Sequence, residues 1–280
     1  MFEDMTIVCP TAGYKNLVRS LWTFREYAPG AQIIVVDQAA EPALNSEEIK
    51  QYTDMYIWAY RALGYSKAMN TGLDIADREY VVCANDDVEL IHINWWNPIK
   101  EIFNEHYDIA GINPASVKGY RNESDNLPYK EKYTDEDWNY LNTERMLESS
   151  PVNPIKPHIM LDGIMTWFTV FRKTALDSIK DNGCYFDEKF YPGGGEDYDL
   201  MCRMYDNKLK GLPYRVVGIY SSWAYHHWSS TYIKNPPKVV PELRWNKLDK
   251  SPDSKWKDNW GLWGRKDKNI PAPPCTKIPL

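Results

Sequence analysis

The stretch MTIVCPTAGYKNLVRSLWTFREYAPGAQIIVVD, residues 5–37, decides the architecture. Met5 to Pro10 is an apolar run that reads as a buried strand stopped by proline, and Thr11-Ala12-Gly13 supplies a turn. From Asn16, Leu17, Leu21, Trp22 and Phe24 recur near helical spacing until Pro29-Gly30 ends them. Ala31 to Val36 is then a second, β-branched strand that ends at Asp37. Strand, helix, strand in this order predicts a parallel βαβ unit, in which ligands gather beyond the carboxyl ends of the strands.

The pattern continues outward. Asp54 to Ala59 reads as a third strand, Ser66 to Ala76 as a helix and Tyr80 to Ala84 as a further strand. Residues 114–158 are polar and aromatic without a long apolar period, which predicts an inserted surface segment or lid, with a short helix around Glu136 to Met146. Apolar texture returns from His158 to Phe171, followed by a helix from Lys173 to Ile179, a turn at Asp181-Asn182-Gly183 and a helix from Glu196 to Lys208. Leu212 to Ile219 and Trp223 to His227 read as two more strands. The division is therefore one main domain, 1–232, and a tail, 233–280, rich in Pro, Lys and Trp, that wraps the core.

Composition narrows the function. A chain of 280 residues with 43% hydrophobic content can bury one substantial core. A net charge of -6 supplies no broad basic field, so nucleic acid is not expected as a partner. The five cysteines are scattered without CxxC spacing, which suggests neither a disulfide framework nor a zinc site and fits a reducing, cytoplasmic location. No apolar run approaches the ~18 residues of a membrane span.

Three acidic clusters carry the chemistry. Asp37 follows Ile33 to Val36, Asp86-Asp87 follow Tyr80 to Ala84, and Glu196-Asp197 follow Gly193-Gly194-Gly195. Carboxylates at strand ends are what a protein needs to hold a divalent cation against a diphosphate, since Mg²⁺ and Mn²⁺ take hard oxygen ligands and keep substrate phosphates among them. The same residues would serve, more plainly, as turn and helix-capping groups. Glycines ahead of Glu196 allow the backbone to pass close to a ligand before a helix begins. Of the adjacent His226 and His227 only one can face such a site, because neighbouring strand residues point to opposite sides. Trp95, Trp96, Trp167 and Trp223 offer faces for a sugar ring, although most are expected to serve packing.

Val35-Val36-Asp37, Gly64 to Gly72, Asn85-Asp86-Asp87-Val88-Glu89 and Gly194 to Leu200 occur in the order and near the spacing seen in family 2 type glycosyltransferases of the GT-A fold, which this chain resembles. The Gly-Gly-Glu-Asp stretch followed by a histidine is also similar to the β-1,4-galactosyltransferases. The resemblance implies an α/β, Rossmann-like GT-A domain with a mostly parallel central sheet, and an inverting, metal-dependent transfer of sugar from a nucleoside-diphosphate donor, a UDP-sugar, to a hydroxyl acceptor such as a glycan. By the same resemblance Asp87 and His226 would bind Mn²⁺ or Mg²⁺, with His227 the alternative to His226. Asp86 would approach the ribose or a metal-bound water, Thr11 and Asp37 the nucleoside, Gly64, Lys67 and Asn70 the diphosphate region with Asn70 at a helix start, and Glu196 the sugar hydroxyls. Asp197 would be the general base. Gln38-Ala39-Ala40 departs from the family's Asp-Asp-x-Ser form, which leaves the base undetermined. Two other readings of such a chain are a noncatalytic carbohydrate-binding protein and a sugar transferase acting on modified DNA.

Overall fold

The computed structural model describes residues 2–13, 17–39, 46–116, 161–162, 166–191, 193, 196–197, 199–200, 203–204 and 215–226. The predicted helix around Glu136 to Met146, the tail from residue 233 and all but the first three residues of the expected insertion lie outside these residues. The elements are β1 Met5–Thr11, α1 Leu17–Tyr27, β2 Gln32–Asp37, α2 Ser46–Gln51, β3 Met55–Trp58, α3 Tyr65–Leu73, β4 Tyr80–Ala84, β5 Val88–Leu90, a 3-10 turn Ile93–Trp95, α4 Trp96–Glu105, β6 Ile109–Ser116, β7 Leu161–Asp162, β8 Phe168–Arg172, α5 Lys173–Ser178 and β9 Arg215–His226. Residues 196–197, 199–200 and 203–204 are helical as well.

The strands form one nine-stranded sheet in the order β3-β2-β1-β4-β8-β6-β9-β5, with β7 also on β9. β1 to β4 run parallel. β8 enters antiparallel between β4 and β6, while β6 and β9 run in the direction of β1. The domain is thus α/β with a mostly parallel central sheet.

Strand periodicity decides which residues face which helices. Along β1, Met5, Ile7 and Cys9 join the layer built with Leu17, Leu21 and Phe24 of α1 and Ile99 and Phe103 of α4. Val8, from the same strand, joins Ala68, Met69 and Leu73 of α3 and Ala175 and Leu176 of α5 on the opposite face. β2 divides likewise, Ile33 and Val35 against Ile34 and Val36. Burial on both sides explains why these strands read as unbroken apolar runs rather than alternating ones. α3 packs tightly at Gly72: a Cβ there would lie 2.3 Å from Val8 Cγ1, so only glycine fits.

Two expectations change. The strands predicted at Leu212 to Ile219 and Trp223 to His227 are one strand, β9, whose register against β6 jumps from Pro114↔Ile219 to Ala115↔Trp223. The intervening residues contain no proline or glycine to break extension, so the chain bulges and continues. β6 reaches Ser116, so residues 114–116 belong to the sheet and not to the insertion.

Candidate functional site

The parallel strands deliver their carboxyl ends to one edge. Thr11 and Asp37, last residues of β1 and β2, are register partners, and Asp86-Asp87 follow β4 beside them. Thr11 Oγ1 donates to Asp86 Oδ2 at 2.6 Å and accepts from Gly13 N at 3.2 Å. Asp86 and Asp87 are both buried. Burial, then the neighbouring Asp87, push the Asp86 carboxyl up to about 7, against the hydrogen bonds from Thr11 and the Ala12 backbone.

His226 arrives from β9, three strands from β4 in the sheet order. β5 pairs antiparallel with β9, and Val88 sits opposite His226. This places His226 Nε2 3.2 Å from Asp87 Oδ1, with both side chains almost fully enclosed. Trp167 stacks flat on the imidazole, centroids 4.8 Å apart and planes 6° from parallel, which fixes its plane. Asp87 Oδ1 is a buried oxygen that makes no hydrogen bond. Two ligands at right angles around an ion at roughly 2.1 Å lie about 3 Å apart, so the pair suits adjacent positions on one small cation. Among the described residues no three His, Cys, Asp or Glu side chains converge, and the remaining positions would fall to phosphate and water.

Asp37 is differently placed. Its Oδ1 accepts from Ala39 N at 2.9 Å and its Oδ2 from Tyr56 Oη at 2.5 Å, and the residue has no exposed surface. Gln38 Oε1 accepts from Leu63 N and Gly64 N at 2.9 and 2.8 Å, tying the end of β2 to the start of α3. Gly64, at φ 79°, makes the left-handed turn into that helix. Because the helix begins at Tyr65, Asn70 lies within α3 rather than at its start. Its amide clasps the neighbouring chain, accepting from Phe186 N at 2.8 Å and donating to Phe186 O at 2.9 Å. Lys67 Nζ pairs with Glu188 at 3.0 Å, so both side chains engage the 186–188 segment.

Glu196 is buried and Asp197 half-buried. Both lie close enough to Tyr65 to contribute to the upward shift of its hydroxyl pKa, which burial dominates and Cys83 reinforces. Tyr65 Oη donates to Thr166 O at 2.9 Å, beside Trp167. The helix holding them is pinned by Arg203, whose Nε pairs with Asp199 at 2.8 Å and whose other nitrogens donate to Ile179 O and Tyr185 O. His227 and the glycines 194–195 lie outside the described residues. Trp95, Trp96 and Trp223 are buried in the packing.

Sequence reasoning passed over the support of the acidic loop by α1. Three polar residues at helical spacing, all buried, face it. Ser20 Oγ donates to Asp86 O at 3.0 Å, Arg19 Nε pairs with Glu89 at 2.7 Å, and Thr23 Oγ1 accepts from Leu90 N at 3.0 Å. The clue was present in α1 itself, where polar residues interrupt the apolar stripe between Val18 and Phe24.

Comparison with solved structures returns sugar-transferring enzymes at low identity. The mannosyltransferase PcManGT from Pyrobaculum calidifontis, solved with GDP-Man and Mn²⁺, is 14% identical with a TM-score of 0.48, over 77% of this chain and 56% of that one. S. aureus TarS 1–349 is 17% identical at 0.49, over 82% and 62%. Glucosyl-3-phosphoglycerate synthase from Mycobacterium tuberculosis is 13% identical at 0.46, over 80% and 71%. The chain thus spans little more than half of the first two, and overlaps this loose say nothing of function. No curated protein matches. The sequence model of glycosyl transferase family 2 matches residues 6–171, more than half of the chain, over the same strands that bring Thr11, Asp37, Asp86 and Asp87 to one edge. On that match this chain belongs to glycosyl transferase family 2 and its α/β domain is a GT-A fold.

Proposed function

We propose that the protein is an inverting glycosyltransferase that moves a sugar from a nucleoside-diphosphate donor to a hydroxyl acceptor with the help of Mn²⁺ or Mg²⁺. The observation that carries this reading is the enclosed pair of Asp87 Oδ1 and His226 Nε2, 3.2 Å apart, with no hydrogen bond made by that oxygen. A carboxylate and an imidazole nitrogen withdrawn from water are costly to hold together, and a cation between them relieves that cost. The ion, when bound, supplies positive charge against the diphosphate leaving group.

The chain's own groups take the other roles. Asp86, held by Thr11, lies beside the cation pair to meet a ribose hydroxyl or a metal-bound water. Thr11 and the Asp37 loop floor the nucleoside, Gly64 opens the backbone at the entry to α3, and Lys67 and Asn70 brace that helix against residues 186–188 beside the diphosphate. Glu196 binds sugar hydroxyls. Asp197 takes the acceptor hydroxyl's proton as that oxygen attacks the anomeric carbon, in one in-line displacement without a covalent enzyme intermediate. Residues 117–158 and the tail contribute acceptor choice, with a glycan the preferred class.

The test is a donor screen. UDP- and GDP-sugars are incubated with the full chain in Mn²⁺, Mg²⁺ or EDTA, and released nucleoside diphosphate is measured by mass. Release with metal and none in EDTA is expected. Turnover that persists undiminished in EDTA would overturn the metal-dependent reading.

A further inference from the structure

An aromatic pair stands at the same edge of the sheet, outside every motif considered above. β3 ends at Trp58, whose Nε1 donates to Ala39 O at 3.0 Å, fixing the indole against the loop that follows Asp37. Tyr60 lies over it, centroids 4.1 Å apart and planes inclined by 35°. Between them, Ala59 N donates to Asp37 O at 2.8 Å, which ties the pair to the end of β2. Tyr60 is 70% exposed and its φ is 61°. That left-handed conformation costs a bulky residue free energy, and such strain gathers at functional positions. Folding gains little from holding a tyrosine ring in water on strained backbone. A planar ligand would gain a stacking surface.

Asp37, the register partner of Trp58 on the adjacent strand, offers less than its position promises. Both its oxygens already accept hydrogen bonds, from Ala39 N and Tyr56 Oη, and none of its surface is exposed. An N–H on the edge of a nucleobase would find that carboxylate engaged.

We propose that Trp58 and Tyr60 form the platform on which the donor's nucleobase stacks, and that the base is held by its π-face rather than read along its hydrogen-bonding edge by Asp37. This deepens the proposed function and rests on its donor reading. Every base has a π-face, so a stacking platform discriminates weakly. UDP and GDP should bind this protein with similar affinity.

Calorimetric titration of UDP and of GDP in Mn²⁺ tests it, using the unaltered chain, Tyr60→Ala, Tyr60→Phe, Tyr60→Gly and Tyr107→Ala. Tyr107 is 79% exposed and precedes β6, at the opposite edge of the sheet. UDP and GDP are expected within about tenfold of each other, and Tyr60→Ala is expected to weaken both by about tenfold. Tyr60→Phe and Tyr107→Ala should leave both unchanged. Tyr60→Gly separates binding from folding: it relieves the backbone, so Tm holds or rises, while affinity falls as in the alanine variant. If the unaltered chain binds nucleotide and Tyr60→Ala binds it equally well, the platform is wrong and the donor reading stands. A preference between the two nucleotides above about 100-fold, of the kind hydrogen-bonded recognition gives, overturns the weak-reading part. Failure of the unaltered chain to bind either nucleotide overturns the donor reading and the platform together.

Discussion

Two aspartates at the same edge of the sheet have been treated in opposite ways by the fold. Asp37 is completed from within: a backbone N–H and a tyrosine hydroxyl occupy its two oxygens. Asp87 is equally hidden, yet its Oδ1 has no hydrogen bond and faces an imidazole nitrogen. Burial alone therefore does not separate a carboxylate completed by hydrogen bonds from one set against an imidazole. Hydrogen bonding does: both oxygens of Asp37 have a donor, whereas Asp87 Oδ1 has only the imidazole nitrogen 3.2 Å away.

The contrast can be broken at its strong end first. Asp87→Ala should reduce the affinity for UDP in Mn²⁺ to the value measured without metal, while changing unfolding free energy by only about 1 kcal/mol, since loss of the contact with His226 is offset by relief of a buried carboxylate. Calorimetry with and without Mn²⁺, beside urea unfolding, reads both quantities. Unchanged metal-dependent affinity would remove Asp87 from the cation site.

Asp197→Asn sharpens the distinction between binding and chemistry. The amide keeps the shape of the carboxylate, so donor affinity should persist while turnover drops by about 10² to 10⁴-fold, the range for a positioned acid or base. Steady-state kinetics with saturating donor decide it. Near-normal kcat would transfer the role to Glu196 or Asp199.

Asp37→Ala should give the reverse of Asp87→Ala. Removing it leaves the Tyr56 hydroxyl and the Ala39 N–H without their acceptor, at a cost of about 3 kcal/mol in folding. Urea midpoints at constant slope would report this. A variant as stable as the parent would mean that the clasp contributes nothing and that the comparison is unsound.

The smallest effect is at Ser20. Its bond to the Asp86 carbonyl is neutral, so Ser20→Ala should cost about 1 kcal/mol of stability. The half-saturating Mn²⁺ concentration should rise a few-fold, with kcat recovered at high metal and Ser20→Thr restoring both. Lower stability with unaltered metal dependence would leave Ser20 a packing residue only.

Much of this was legible in the chain because the central strands are buried on both faces. β1, β2 and β4 read as uninterrupted apolar runs, and the acids that follow them stand out by polarity alone. β6 was not legible. Gly111, Asn113 and Pro114 look like breakers, but a Cβ at 111 would lie 2.6 Å from the Phe171 ring, and Asn113 Nδ2 donates to Phe168 O. Both residues answer to β8, a strand more than 50 positions onward, so their meaning is tertiary. The same holds at the site. The position of Asp37 was visible, but its engagement with Tyr56 depends on the pairing of β2 with β3, and the partners of Lys67 and Asn70 come from beyond residue 180.

The polar face of α1 bears on a choice made some 200 residues later in the chain. β5 is only three residues long, and its register with β9 determines which side chain stands opposite Val88. A slip of one residue would bring a neighbour of His226 there and turn the imidazole to the other face of the sheet. So short a strand has little register of its own, and Ser20, Arg19 and Thr23 grip it at Asp86, Glu89 and Leu90. The N-terminal helix in this way anchors, by three polar contacts, the loop and short strand that meet His226.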